Sequence, residues 1–381
     1  MPNVLNNLAA DIYRAADVVG RELVGFIPSA TLNTAEGVRV AKGDPVRSHF
    51  TRTPTVGSTY SPAMTIPEGT DQTVDNKTLT VNQYASVQIP WTGEDIKHVN
   101  NGPGYETVYG DQIAQSMRAI TNTIESYVAG IAKAGSSRAF GTAGTTPFGS
   151  NFNEIAEIRQ ILVDNGCPMD NQVSLVINSL AGTKLRNLAQ LQKVNESGGS
   201  ELLRQGTLLN LQQIMIKESA GISLHTKGTG SGYLVNSASI TAGTTTIPAD
   251  TGTGTVLAGD VVTFAADTTN KYVVNTALSG GSLALGAPGT RVSIADNNAI
   301  TVGNSYTPNL AFHRSAIEVV CRAPALPSVE AAVDVMDVTD PFSGLTFQIA
   351  VYAGFQKSMI DIRCFYDAVV WKPNHVATLL G

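Results

Sequence analysis

The 381-residue chain is 43% hydrophobic and only 15% charged, against roughly 25% charged in ordinary globular proteins. A surface so poor in charge fits a protein covered largely by copies of itself, since interface cores are depleted in charged residues. The formal charge of -6 and the lack of a Lys/Arg cluster exclude a protein whose main task is gripping nucleic acid, and no apolar run is long enough to cross a bilayer as a helix.

The first segment predicts an amphipathic helix. Leu5, Leu8, Ile12, Ala16, Val19, Leu23 and Phe26 recur at helical spacing, with Asn3 to cap the start and Gly25 and Pro28 to end it. It carries no basic stretch ahead of an apolar block, so it is not expected to be a signal peptide. Cys167, Cys321 and Cys364 lie far apart with no CxxC pair, which predicts reduced, buried thiols made in a cytosol. The sequons at Asn76 and Asn195 carry no meaning there.

From Val46 the texture turns to Thr, Val, Pro and Gly, and Leu79 to Ile89 alternates as a strand with one polar face. The expectation is a long two-stranded excursion with an acidic tip at Glu68, Asp71 and Asp75. A two-stranded ribbon is marginal alone in water, so it calls for a partner surface. A long helix is predicted from about Tyr105 to Ala134, with Ile113, Met117, Ile120, Ile124, Tyr127 and Ile131 on one face and Gly135 as its stop. A shorter helix runs from Asn153 to about Val163, with Ile155, Ile158 and Leu162 inward and Asn165-Gly166 at its end. Val173 to Ile177 reads as a buried strand, Asn178-Ser179 as a cap, and Leu180, Lys184, Leu188 and Leu191 as one helix face. "NLQQIMIKES" returns as a strand. Alternating strand and helix make a small α/β layer.

At Lys227 helical period disappears. "DVVTF", "KYVV", "SLAL", "RVSIA" and "AITV" are short runs separated by Gly, Asn, Asp or Pro, the pattern of a small barrel or sandwich. After Asn309, "FHRSAIEVVCRAP" reads as a strand edge running into a helical turn stopped by Pro324 and Pro327. Then "AAVDVMDV", "GLTFQIAVYAGF" and "SMIDIRCFYDAVVW" form an antiparallel set, the first two joined through the turn Asp340-Pro-Phe-Ser-Gly, and the chain ends quietly at "NHVATLLG". The β block is thus an insertion in an α+β protein.

No catalytic constellation emerges. His49, His98, His225, His313 and His375 are never at metal-ligand spacing on one element. His313-Arg314-Ser315 lacks the GxSxG elbow, and His313 is expected as a partly buried strand-edge residue bonded to backbone. "GTGSG" at Gly228 to Gly232 lacks the Lys and the following helix of a phosphate loop and reads as a flexible hinge. Asp260, Asp267 and Asp296 lack a calcium-loop spacing. The block offers Tyr233, Phe264, Tyr272 and Tyr306 but no Trp or clustered carboxylates, which weighs against a hydrolase with a carbohydrate module. A secreted adhesin is disfavoured by the absent signal peptide.

The order of parts, and the exit "YTPNLAFHRSAIEVVCRAP", resembles the major capsid proteins of tailed bacteriophages with the Hong Kong-97-type fold, and among them the coat proteins of the Salmonella short-tailed phage, P-twenty-two-like family. Asn309, Leu310, Phe312, His313 and Arg314 match the strand by which that family leaves its insertion. The resemblance implies an α+β chain with an extended β loop, a long spine helix and an inserted all-β barrel or sandwich domain. It divides the chain into an arm (1–45), the extended loop (46–92), a peripheral domain with the spine helix (93–151), an axial α/β region (152–226), the insertion (227–308), the axial region continued (309–356) and a final peripheral strand with the C-terminus (357–381). It implies no enzyme, cofactor or metal. It implies self-association into hexamers and pentamers of an icosahedral head in the virion, assembled in the host cytoplasm on a scaffolding protein, with a portal protein, an optional decoration protein, packaged DNA held by proximity, and no membrane. The expected inter-subunit contacts are Leu8, Ile12, Arg14, Glu68, Asp71, Asp75 and Lys77. A shell-forming bacterial compartment protein of the same fold is the rival, one not expected to carry the insertion.

Overall fold

The computed structural model describes residues 24–33, 39–51, 62, 64–66, 74–99, 105–188, 191, 210–326, 332–341 and 343–381. The N-terminal helix expected up to Leu23 lies outside these residues. A short 3-10 turn, Ile27–Ser29, leads into strand β1 (Thr31–Asn33).

The ribbon is shorter than the alternating pattern implies. β2 (Pro45–Thr51) and β3 (Val74–Thr80) pair antiparallel, with Val46 opposite Leu79. Their base is not bare: Val46, Leu79 and Val81 bury against Val320, with Phe365, Val369 and Trp371 alongside. The strand then changes partner. After Val81-Asn82, β4 (Gln83–Thr92) leaves the ribbon and pairs along the strand Lys357–Val370. Its inward row, Ala85, Val87, Ile89 and Trp91, covers the main core.

Helix α1 (Gly93–Val99) starts on a reciprocal cap, in which Asp95 N–H donates to Thr92 Oγ1 and Thr92 N–H to the Asp95 carboxylate. Helix α2 (Tyr105–Ala134) has the predicted bounds, with Ile113, Met117, Ile120 and Ile124 fully buried. A second inward row, Thr121, Glu125, Val128 and Ala132, is equally buried, so sheet lies against α2 on more than one side. Gly135 follows because a Cβ there would meet Val370 Cγ2 at 2.4 Å.

The α/β layer comprises β5 (Arg138–Phe140), α3 (Asn153–Asp164), β6 (Val173–Ile177), α4 (Ser179–Arg186), β7 (Asn210–Leu211) and β8 (Ile214–Glu218). Ile155, Ile158 and Leu162 are buried as the spacing predicts. Of the face predicted here, Leu188 and Leu191 are buried, but on α4 itself Leu180 and Lys184 are exposed, and Ala181 and Leu185 point inward. Two turns are too few for spacing to separate adjacent faces. "NLQQIMIKES" is a hairpin rather than one strand, turning on Gln212 and Gln213 at φ 53 and 66.

The insertion supplies β9 (Tyr233–Val235), β10 (Ser239–Ile240), β11 (Thr246–Asp250), β12 (Val261–Phe264), β13 (Asp267–Ser279), β14 (Ser282–Leu285), β15 (Ile294–Ala295) and β16 (Ala299–Val302). Six of these follow the order β12-β16-β9-β11-β14-β13, and β13 pairs back to β12. The ring is therefore a closed antiparallel barrel, filled by Val235, Ile247, Val262, Phe264, Tyr272, Leu283 and Ile300. β13 also pairs with β5, Lys271 opposite Ala139 and Tyr272 opposite Arg138. The barrel is thereby joined edge to edge with the body.

The returning chain forms β17 (Pro308–His313), β18 (Ile317–Arg322), β19 (Ala332–Thr339), β20 (Thr346–Gly354), β21 (Lys357–Val370) and β22 (Val376–Leu380). β17 is not an edge. It lies between β22 and β6 in the mixed order β5-β22-β17-β6-β8-β7, and all six of its residues are buried. The helical turn expected before Pro324 is strand β18, and the only helical geometry there is the 3-10 turn Arg314–Ala316. The quiet C-terminus is a fully buried central strand, β22. β19, β20 and β21 form the expected antiparallel set, and β21 also pairs with β18 and β4.

Candidate insertion junction and assembly surfaces

The segment Asn309 to Arg314 is the seam of the body. Asn309 is fully buried; its Nδ2 donates to Leu379 O (3.2 Å) and its Oδ1 accepts Asn178 N–H (2.9 Å). Asn178 in turn accepts Ala181 N–H at 2.8 Å as the cap of α4. One amide thus ties β17, β22 and the start of α4. Phe312 is fully buried and stacks on Phe26, with ring centroids 5.8 Å apart and planes within 4°. Arg314 is exposed, and its backbone holds Gln172 O and the Thr31 hydroxyl.

His313, Ser315 and Asp170 do meet. Ser315 Oγ lies 2.9 Å from His313 Nδ1, and Asp170 Oδ1 lies 3.1 Å from Nε2. The trio nevertheless reads as a cap. Nδ1 also accepts Ser315 N–H at 3.1 Å, so its lone pair is committed to the 3-10 turn instead of being free to take the hydroxyl proton. Asp170 holds Nε2–H from outside and stays below the usual carboxylate range, burial being offset by Gln172 N–H and by His313. The re-entry segment is a structural seam, and the backbone bond expected of His313 is there, on an interior strand instead of an edge.

Of the expected contact residues, Leu8, Ile12, Arg14, Glu68 and Asp71 lie outside the described residues. The backbone of Asp75, on β3, pairs with that of Phe50 on β2, and its side chain lies outside them too. Lys77 is engaged within its own chain, donating to Trp371 O at 3.1 Å with its Nζ 5.3 Å from the indole centroid. Burial, then Lys372, lowers its pKa. At the ribbon, Met64 and Ile66 are almost wholly exposed.

Two buried polar centres were not foreseen. Glu125, 1% exposed, accepts the consecutive N–H groups of Gly25 (2.6 Å), Phe26 (2.8 Å) and Ile27 (3.0 Å) and the Ser219 hydroxyl (2.6 Å). It pins the root of the N-terminal segment to the long helix. The sequence signal was present: Glu125 is the only charge between Arg118 and Lys133. The second centre is the neck of the insertion. There the ingoing and outgoing chains pair, His225 N–H donating to Tyr306 O (2.8 Å) and Tyr306 N–H to His225 O (3.1 Å). Asp260, fully buried, accepts Leu257 N–H (2.7 Å), Gly228 N–H (3.1 Å) and His225 Nε2 (2.8 Å). "GTGSG" is accordingly no loose hinge. Cβ atoms at Gly228 and Gly230 would stand 2.2 and 2.9 Å from Thr255 O, so the glycines permit close packing. Asp267 is likewise spent, on Asn270 and Tyr272. Among the described residues no group of His, Cys, Asp or Glu is arranged to hold a metal, and no described helix is long and apolar enough to cross a membrane.

A chain in the capsid structure of the cyanophage P-SCSP1u superposes with a TM-score of 0.52 at 12% identity, covering 95% of this chain and 89% of that one. The chain has a capsid-protein fold. Chains from Mycobacterium phage Che8 (TM-score 0.48, 16% identity, 89% of this chain and 85% of that one) and from the mature capsid of bacteriophage PhiM1 (TM-score 0.48, 11% identity, 96% and 89%) are similar at a lower level. No protein-family model matches, and no curated protein matches. The likeness is one of fold, at 12% identity.

Proposed function

We propose that this chain is the major capsid protein of a tailed bacteriophage, of the Hong Kong-97 type, and that it builds an icosahedral head from hexamers and pentamers of itself. The observation that carries the reading is the capsid-protein fold along nearly the whole chain. The ribbon supports it. Its base is buried at home, yet Met64 and Ile66 project into solvent, where the surface of another copy would cover them. In this reading 1–45 is an arm, 46–92 an extended loop, 93–151 a peripheral domain, 152–226 and 309–356 an axial region, 227–308 the insertion and 357–381 the closing peripheral strand.

The chain's work is then mechanical, and no residue is assigned to catalysis, cofactor or metal. Assembly proceeds through a scaffolded precursor shell that expands as double-stranded DNA enters through a portal vertex. The test is electron microscopy of the purified full-length protein, with and without a co-expressed scaffolding protein. Closed shells of uniform size are expected. A protein that stays monomeric at high concentration in both settings overturns the proposal, and shells filled with enzyme cargo in place of DNA would favour the compartment reading.

A further inference from the structure

The neck holds one buried group that the shell reading does not use. His225 sits between Lys133, at the last turn of α2, and Asp260, at the start of β12. Lys133 Nζ is 3.0 Å from Nδ1, and Asp260 Oδ1 is 2.8 Å from Nε2. An ammonium can only donate, so Nδ1 must carry a lone pair and Nε2 the proton. The ring is neutral in this arrangement, and it relays a contact from the body's long helix to the barrel.

We infer that His225 is a proton-controlled coupler between the long helix and the inserted barrel. The argument follows from what a second ring proton does on each side. On the barrel side it strengthens the bond, because an imidazolium facing the Asp260 carboxylate is a charge-assisted pair. On the body side it puts an N–H in front of an ammonium already 3.0 Å away, two donors and two cations face to face. Lys133 then has to leave. The groups facing the ring are Lys133 from the long helix, Asp260 from the barrel and Tyr306 from the outgoing chain, whose ring centroid is 5.3 Å away and whose hydroxyl is spent on Gly259 O. Asp260 is already engaged by His225, Gly228 and Leu257, and the Tyr306 hydroxyl by Gly259 O. Its stem lies on Gly259, where a Cβ would be 2.9 Å from its Cε, so it has been threaded into this place rather than resting against it. Burial already presses the ammonium toward its neutral form, against the opposing pull of Asp260. Beside this contact the barrel is joined to the body by the β13–β5 pairs Lys271–Ala139 and Tyr272–Arg138, by Val273 N–H to Ser137 O (3.2 Å), Arg138 to Asn270 (2.9 Å) and Arg291 to Asp164 (3.8 Å), and by the small apolar patch around Tyr306 and Val273. Neutral His225 adds to that joint a tie between the barrel and the end of the long helix. Protonated His225 stays with the barrel and frees the helix end.

The inference does not depend on the shell reading, and its test uses the unassembled full-length chain. Backbone hydrogen exchange is followed by mass spectrometry at about pH 7.5 and about pH 5, with labelling times scaled to the intrinsic rates. In the wild type, peptides spanning 131–137 and 271–274 are expected to exchange about tenfold faster on acidification, the size of one lost hydrogen bond to a charged group. Peptides holding Gly228 and Leu257, bonded to Asp260, keep their protection. In His225→Gln the acid-induced loss is absent. In Lys133→Met the helix end is already less protected at the higher pH, and acid adds nothing. Unchanged scaled protection in the wild type overturns the proposal, as does an acid-induced loss that survives in His225→Gln. If that variant fails to fold, Lys133→Met decides by the same criterion.

Discussion

Replacing Glu125 by Gln is the sharpest perturbation of the body. The carboxylate receives three consecutive N–H groups and one hydroxyl with no exposure to water. Gln keeps the shape but has one acceptor oxygen. If that oxygen stays with Gly25, Phe26 and Ser219, as Oε1 does now, the amide –NH2 confronts Ile27 N–H, donor against donor. A hydrogen bond to a charged acceptor contributes about 1.5–3 kcal/mol, and a buried donor left alone costs a similar amount. Local opening at Gly25–Ile27 should therefore become easier by about 1.5–3 kcal/mol, or roughly 10- to 150-fold faster hydrogen exchange of these amides. Exchange measured on the unassembled chain reads this local opening directly. Ser219→Ala, which removes one donor and leaves the carboxylate, should move the same amides far less. Wild-type protection at Gly25–Ile27 in the Gln variant would show that the carboxylate does not hold this turn.

Gly182→Ala places a Cβ 1.5 Å from Glu218 Oε1, on a carboxylate held by both arms of Arg186 at 2.5 and 2.8 Å; a loss of at least about 2 kcal/mol is expected in denaturant unfolding, and a neutral result would mean that the Arg186–Glu218 pair swings aside freely. His375 is buried neutral, its pKa lowered from 6.5 to about 4 by burial first and then by Lys372 and His313. The unfolded chain therefore binds a proton that the folded one refuses, so stability is complete above about pH 6.5 and falls toward pH 4. Urea midpoints should drop less across that window in His375→Gln than in the wild type; equal slopes would refute the assignment. The barrel closes on itself around its own core, so an excised Gly228 to Thr307 fragment should fold, and a collapsed amide spectrum would contradict this. Replacing Glu68, Asp71 and Asp75 together by Ala should lower shell yield or stability if the acidic tip meets basic groups on another copy, each pair being worth at most about 1 kcal/mol; unchanged assembly would remove the tip from the interface.

Much of the architecture was legible wherever side-chain period or punctuation is unambiguous. Helix α2 announced itself by steps of three and four from Ile113 to Ile124 and by Gly135. The insertion did so by apolar runs cut at Gly, Asn and Asp. Period failed where it continues unchanged through an event. Leu79, Val81, Ala85, Val87 and Ile89 keep the same parity, so nothing local reveals that the strand leaves one partner for another after Val81. It failed again in β17 and β22, buried on both faces and therefore without alternation. Closure of the barrel depends on β12 meeting β13, a contact no propensity encodes. At the seam, Phe312, Asn309, Phe26 and Asn178 were all named from the sequence, but the Phe26–Phe312 stack and the Asn178–Asn309 bond were not, because those contacts join residues far apart along the chain.

The order β5-β22-β17 has a bearing on how the molecule is made. Arg138–Phe140 leaves the ribosome early, yet its neighbour in the body, Val376–Leu380, is translated after everything else described. Through that interval β5 has no body strand to lean on, and what it can find is β13 of the insertion, already synthesised. A nascent chain would thus mature from the middle outward, the ring first and the mixed sheet around it last, with the ring serving as a template against which the waiting strand is shielded from clumping.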